Sequence, residues 1–122
     1  MAFSVEYKDS IFWIFLTGSI SGKDLTDAAA MVAVQESRHA VTPHRITDIT
    51  AATEMGIGFD EILSLAGHRR ALRFPNAFKS AIVAGSEAQM GFARMFQTLN
   101  NNPQIAIKIF ADRASALAWL AS

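Results

Sequence analysis

The sequence predicts an α/β fold: a five-stranded mixed, mostly parallel sheet with an N-terminal antiparallel hairpin, in the order β-β-α-β-α-β-α-β-α. Three observations predict it. Two strand-like runs joined by the short polar turn Lys8-Asp9-Ser10 open the chain. After them, apolar positions at helical spacing alternate with short apolar runs of strand length, the signature of strand–helix–strand units with right-handed crossovers. Pro43, Pro75 and Pro103 each stand just past a helical stretch, where the ring cannot continue the helix.

Each element has its own warrant. Phe3, Val5 and Tyr7 alternate with Ser4, Glu6 and Lys8, the period of a half-buried strand. Ile11–Thr17 is apolar on both faces, which places the second strand inside the sheet, with Gly18 expected to end it. Ser21 suits a helix N-cap, and Asp24 falls in the first turn, where the helix dipole favours an anion. Leu25, Ala28, Ala29 and Val32 follow at helical spacing, so the first helix is expected over Gly22–Glu36. Arg45–Thr50 reads as the third strand, Ala51–Gly58 as a polar turn, and Phe59–Arg73 as the second helix. Phe59, Ile62, Leu63 and Ala66 are expected to form that helix's buried stripe. His68, Arg69, Arg70 and Arg73 complement the negative end of its dipole. Phe78–Gly85 is the fourth strand. The third helix is expected over Ser86–Asn100, with Phe92, Met95, Phe96 and Leu99 on one stripe, stopped by Asn100-Asn101-Asn102-Pro103. Gln104–Phe110 is the fifth strand. Asp112 caps a last helix, Arg113–Leu120, whose Leu117 and Leu120 are expected to pack down and whose Trp119 covers the sheet end.

A chain of 122 residues is expected to form one domain over 1–122. That length buries roughly 65–70% of the unfolded surface without a covalent staple. There are no cysteines, which excludes disulfides, thiolate nucleophiles and cysteine-bound metals. Lys+Arg and Asp+Glu both number 11, so there is no electrostatic footprint for nucleic acid or an acidic membrane, and no net repulsion between copies. Apolar residues make up 51% before glycine is counted, above the usual ~45–50% with glycine included. The surplus is enough to line a pocket or a dimer face, although abundant alanine is the plainer source. No run approaches the roughly 18 apolar residues of a membrane span, and the N-terminus lacks the basic–apolar–small pattern of a signal peptide. A cytoplasmic location is expected.

Four pieces together resemble a known family: the opening hairpin with FWIFLTGSIS, the strand RITDIT followed by Gly56-Ile57-Gly58, the strand KSAIVAG, and the ending IAIKIFADRASALAWL. They are similar to the SpoIIAA-like branch of the STAS fold, itself likened to Sec14-type lipid-binding domains. The resemblance implies that fold and a regulatory role by protein–protein contact. In classical members a serine in an Asp-Ser-Ser-Gly type motif after the third strand is phosphorylated. With Gly56-Ile57-Gly58 matched to the family's Gly-Leu-Gly, Thr53-Glu54-Met55 stand in that place. The acceptor serine is absent, a glutamate occupies its position, and the phosphorylation switch does not carry over.

The candidate binding residues follow from that stretch. Asp48, Thr50, Thr53, Glu54, Gly56, Gly58 and Phe59 lie at the carboxyl end of a central strand and the start of a helix, where open α/β sheets favour ligands. The two small glycines also suit simple turn geometry, and GIGFDE lacks the lysine and hydroxyl of a phosphate loop. Asp48 sits in an otherwise apolar strand and needs hydrogen-bond partners, from turn amides, Arg45 or another basic group. Ile62, Phe92, Met95 and Phe96 are candidates for an apolar pocket or dimer face, core packing being the plainer account. His39, His44 and His68 have no metal-ligand spacing, and no metal or cofactor is expected. The basic cluster at His68–Arg73 suits an anionic partner or headgroup as well as a solvated helix end. The reading is a non-catalytic module acting by protein–protein contact, expected to be a homodimer. The alternative is a small carrier of apolar ligands or lipids, with a cavity among Phe59, Ile62, Phe92 and Phe96. An enzyme would need Asp48, Glu54 or Asp60 to converge with His68 or an arginine.

Overall fold

A computed structural model describes residues 2–100 and 102–122, the side chains of 68–71 excepted. The elements follow the predicted order: β1 (Phe3–Lys8), β2 (Ile11–Ser21), α1 (Gly22–Glu36), β3 (His44–Gly56), α2 (Phe59–Ala71), β4 (Phe78–Val83), α3 (Glu87–Leu99), β5 (Ile105–Phe110) and α4 (Arg113–Leu120). The sheet runs β1-β2-β3-β4-β5. β1 is antiparallel to β2, and the remaining neighbours are parallel. Among the described residues no helix is long and apolar enough to cross a membrane.

This strand order dictates the layers. β2 to β5 follow one another across the sheet in one direction. Crossovers of one hand therefore place α1, α2 and α3 on the same face. That face buries Ile14, Leu16, Ile20, Ile49 and Ile82 against Leu25, Ala28, Val32 and Ala93. α4 follows the last strand and folds onto the opposite face, where Ala116 and Leu120 cover Trp13, Ile46, Ala81 and Val83. Burial of this kind sets the stability scale, since each large aliphatic side chain taken from water contributes roughly 1.5–3 kcal/mol.

Local chemistry fixes the ends. The hairpin turns through Asp9 (φ 55°) and Ser10 (φ 63°), the left-handed pair that a tight two-residue turn demands. Ser21 and Asp24 form a reciprocal capping box on α1, and Ser86 and Gln89 do the same on α3. Asp112 Oδ1 accepts the Ser115 N–H at 2.7 Å to cap α4.

Four expectations are corrected. Gly18 does not end β2: it takes φ +72° inside an irregular stretch of the ladder, and the strand continues to Ser21. Ala51–Gly56 is not a turn but the second half of β3, pairing with Thr17–Ser21 around a register shift that leaves Thr53 without a partner residue in the ladder. Its polar residues face water while Ile20 and Ala52 are buried, so the stretch is a strand with one wet face. On α2, Ile62 and Ala66 are buried, but Phe59 (55% exposed) and Leu63 (41%) stand in solvent. The physical reason is that α2 rests on α1 and α3 and has no comparable contact with any strand, so its buried stripe is narrow. Leu117 is 38% exposed, and Ala116 takes the inward position on α4 expected of it. The basic residues His68, Arg69 and Arg70 lie outside the described side chains, as does Asn101 of the helix stop.

Candidate functional site

The parallel strands β2 and β3 project together past the rest of the sheet at their carboxyl ends. β4 pairs with β3 only over Arg45–Asp48, so beyond that point the outer edge of β3 has no strand beside it. Gln89, the buried N3 residue of α3, covers the first part of this edge. Its Nε2 donates to the carbonyls of Thr50 (3.2 Å) and Ala52 (2.8 Å), and its Oε1 accepts the amides of Gly85 (2.8 Å) and Ser86 (3.0 Å). Past Gln89 the chain is open. Thr53, Glu54, Gly56, Gly58 and Phe59 are all exposed. Glu54 Oε2 accepts the Ser19 hydroxyl at 3.1 Å across the β2–β3 pair.

The start of α2 is held by Glu61. Its Oε1 accepts the Gly58 N–H at 3.0 Å. Its Oε2 lies so close to Gly22 that a Cβ there would stand 1.3 Å away. Glu61 therefore places its charge between the first residues of α1 and of α2, where both helix dipoles favour an anion.

Asp48 faces the other side of the sheet. Its Oδ1 accepts the amide (2.9 Å) and hydroxyl (2.6 Å) of Thr50, and its Oδ2 accepts Arg113 Nε at 2.5 Å. Burial works to raise its pKa, but the Thr50 and Arg113 hydrogen bonds outweigh it and hold the carboxyl below its usual range. The Arg113 guanidinium lies over the Phe15 ring at 5.2 Å. Asp48, Thr50, Arg113 and Phe15 line an open depression with Ser4 and Glu6. The expected contact of Asp48 with Arg45 is not made. The two are three residues apart on one strand and so point to opposite faces; Arg45 instead forms a buried ion pair with Glu36. At the opposite, amino end of β3, His44 Nδ1 accepts the Lys79 N–H at 2.9 Å, and burial followed by the Lys79 charge pushes its pKa down.

Beneath α2 lies a cavity of about 90 Å³. Leu25, Val32, Leu65, Phe92 and Phe96 wall it, and the rings of Phe92 and Phe96 stack at 6.4 Å. Its floor is the sheet, where Arg45, Thr47 and Ser80 interrupt Ile14, Ile49 and Ile82. A cleft of about 620 Å³ opens between α1 and α2, lined by Thr26, Ala30, Ala33, Asp60 and Ser64. Ala29 and Leu65 belong to both spaces.

The structure thus divides the predicted residues among three places. Thr53, Glu54, Gly56, Gly58 and Phe59 gather at the projecting strand ends, while Asp48 turns to the α4 face with Thr50. Phe92 and Phe96 line the cavity; Ile62 is buried outside its lining, Met95 is 37% exposed, and Phe59 is far more open than a cavity wall would be. Of the three acids named for an enzyme, Asp48 meets an arginine, Arg113, on the α4 face, while Glu54 lies on the strand pair and Asp60 in the helix cleft. Among the described residues no group of histidines and carboxylates is placed to hold a metal ion. Sequence reasoning missed Gln89, Ser80, Thr47 and Arg113 as site groups. For Ser80 and Thr47 a signal existed: hydroxyls at alternate, inward positions of otherwise apolar strands.

No protein-family profile matches the sequence, and no curated protein matches it. Among solved structures, the chain is similar to an uncharacterized protein of the DUF3478 family with a SpoIIAA-like fold from Shewanella loihica PV-4. The TM-score is 0.58 and the identity 19%, over 98% of this chain and 92% of that one. The likeness is one of fold: this chain has a SpoIIAA-like fold.

Proposed function

We propose that this chain is a binding module, without a catalytic step of its own, that works by protein–protein contact through the end of β3 and the first two turns of α2. The observation that carries the reading is the exposure of Phe59 and Leu63, one turn apart, beside a strand end with no strand neighbour. A large aromatic and a leucine in solvent on one helix face are what an interface core is made of. Gly56 and Gly58 let another chain come close to the backbone there. Glu54 replaces the serine that classical SpoIIAA-like proteins phosphorylate, so contact here is not switched by phosphate at that position. The partner the composition favours is a second copy of the chain, because a net charge of zero sets up no repulsion between copies.

Sedimentation velocity over a range of concentrations tests this. The native chain is expected to associate, and the double substitution Phe59→Glu with Leu63→Glu to remain a monomer with an unchanged circular dichroism spectrum. Equal association of both proteins contradicts the placement.

A second reading, a carrier of small apolar molecules, is favoured by the cavity beneath α2. Its volume suits a small molecule rather than a whole lipid, since drug-sized sites run to roughly 300–1,000 Å³.

A further inference from the structure

We propose that the cavity beneath α2 takes a small neutral amphipathic molecule, a short-chain alcohol or ketone. Its polar head meets Ser80 and Thr47, and it enters between α1 and α2 past Leu65. The proposal rests on the second reading above and gives that site a ligand class and a doorway.

The floor of the cavity supplies the first argument. Ser80 is 6% exposed and lines the space. Among the described residues no hydrogen bond is formed by its hydroxyl or by that of Thr47, which lies diagonally across on β3, two residues beyond Ser80's register partner Arg45. A ligand that reaches these hydroxyls gains hydrogen bonds that no described group of the protein supplies. The walls above are aliphatic and aromatic, which suits the apolar remainder of such a molecule.

Charge decides the kind of head group. Arg45 also reaches the cavity, but its guanidinium is already paired with the Glu36 carboxylate and lies 5.3 Å from the Phe78 ring. An incoming carboxylate would have to shed its water to enter and compete with Glu36 for that cation, whereas a neutral hydroxyl or carbonyl has two hydroxyls waiting. The size suits the head and first carbons of such a molecule, since about 90 Å³ holds roughly three water-sized groups, and the end of its short chain extends towards the outer cleft.

The doorway follows from the shared lining. Ala29 and Leu65 line both the cavity and the outer cleft, and Leu65 is the larger side chain between them. α2 can carry Leu65 aside because it is seated on α1 and α3 rather than on the sheet.

The test is an NMR titration with pentan-1-ol, and with pentanoate at neutral pH. Pentan-1-ol is expected to shift the amides around Ser80 and Leu65 saturably. Ser80→Ala should weaken it roughly two- to tenfold, the worth of one hydrogen bond. Leu65→Trp should abolish saturable binding, and pentanoate should bind at least about tenfold more weakly. If neither probe binds the native protein, the cavity holds only water, and the carrier reading falls with the proposal. If pentan-1-ol binds but Ser80→Ala and pentanoate make no difference, a pocket exists and the assigned ligand class is wrong. Should Leu65→Trp not fold, the Ser80→Ala and pentanoate arms decide alone.

Discussion

Asp48 shows how much one residue can reveal. A carboxylate in an apolar strand must find partners, and it has them in Thr50 and Arg113. Its folded pKa lies below the ordinary 3.8, so its share of stability is complete above that value and is lost as the pH falls through the lowered folded pKa. Urea midpoints measured from pH 6 downwards should show this acid loss, and Asp48→Asn should show less of it. At neutral pH the variant should be less stable by roughly 1 kcal/mol, Arg113 being too exposed for more. His44 has a depressed pKa too. Its neutral ring accepts an amide, so stability should decline as the pH falls below 6.5, and His44→Asn should flatten that limb. The need for partners at Asp48 was legible in the sequence. That Arg113, 65 residues on, would supply one was not, because nothing local says where the last helix lands.

At the scale of elements, caps were the reliable signal. α1 and α4 begin and end where the sequence places them, because Ser21 with Asp24, and Asp112, leave the backbone little choice. The end of β3 was misread for a physical reason. Thr50-Ala51-Ala52-Thr53 is polar enough to suggest a turn, yet its pairing with Thr17–Ser21 needs only the alternate burial of small groups. The stripe on α2 was misread because its spacing promises a sheet-facing helix and the helix instead sits on its neighbours. Gln89 joins these elements, tying α3 to β3 with both ends of its amide. Gln89→Met should fill the same space but strand the carbonyls of Thr50 and Ala52 and the amides of Gly85 and Ser86. A loss of roughly 2–3 kcal/mol by chemical denaturation is expected, with the β3 end the first region to exchange its amides.

For the whole molecule, strand order and crossover hand decide what is left exposed. Three crossovers in one direction stack three helices on one face, and the middle one is lifted off the sheet. The lift produces both candidate sites at once: the cavity below α2, and the uncovered Phe59 and Leu63 on its outer side. The sequence made the order of elements plain, and from it the SpoIIAA-like fold, but the height of one helix above the sheet depends on packing that no single stretch encodes. The proposed contact runs through the end of β3 and the front of α2. Amide hydrogen exchange at low and high protein concentration tests it most directly. Added protection is expected at high concentration over residues 53–67, with α4 and β5 unchanged; protection that appears on α4 instead, or nowhere, rules the proposed contact out.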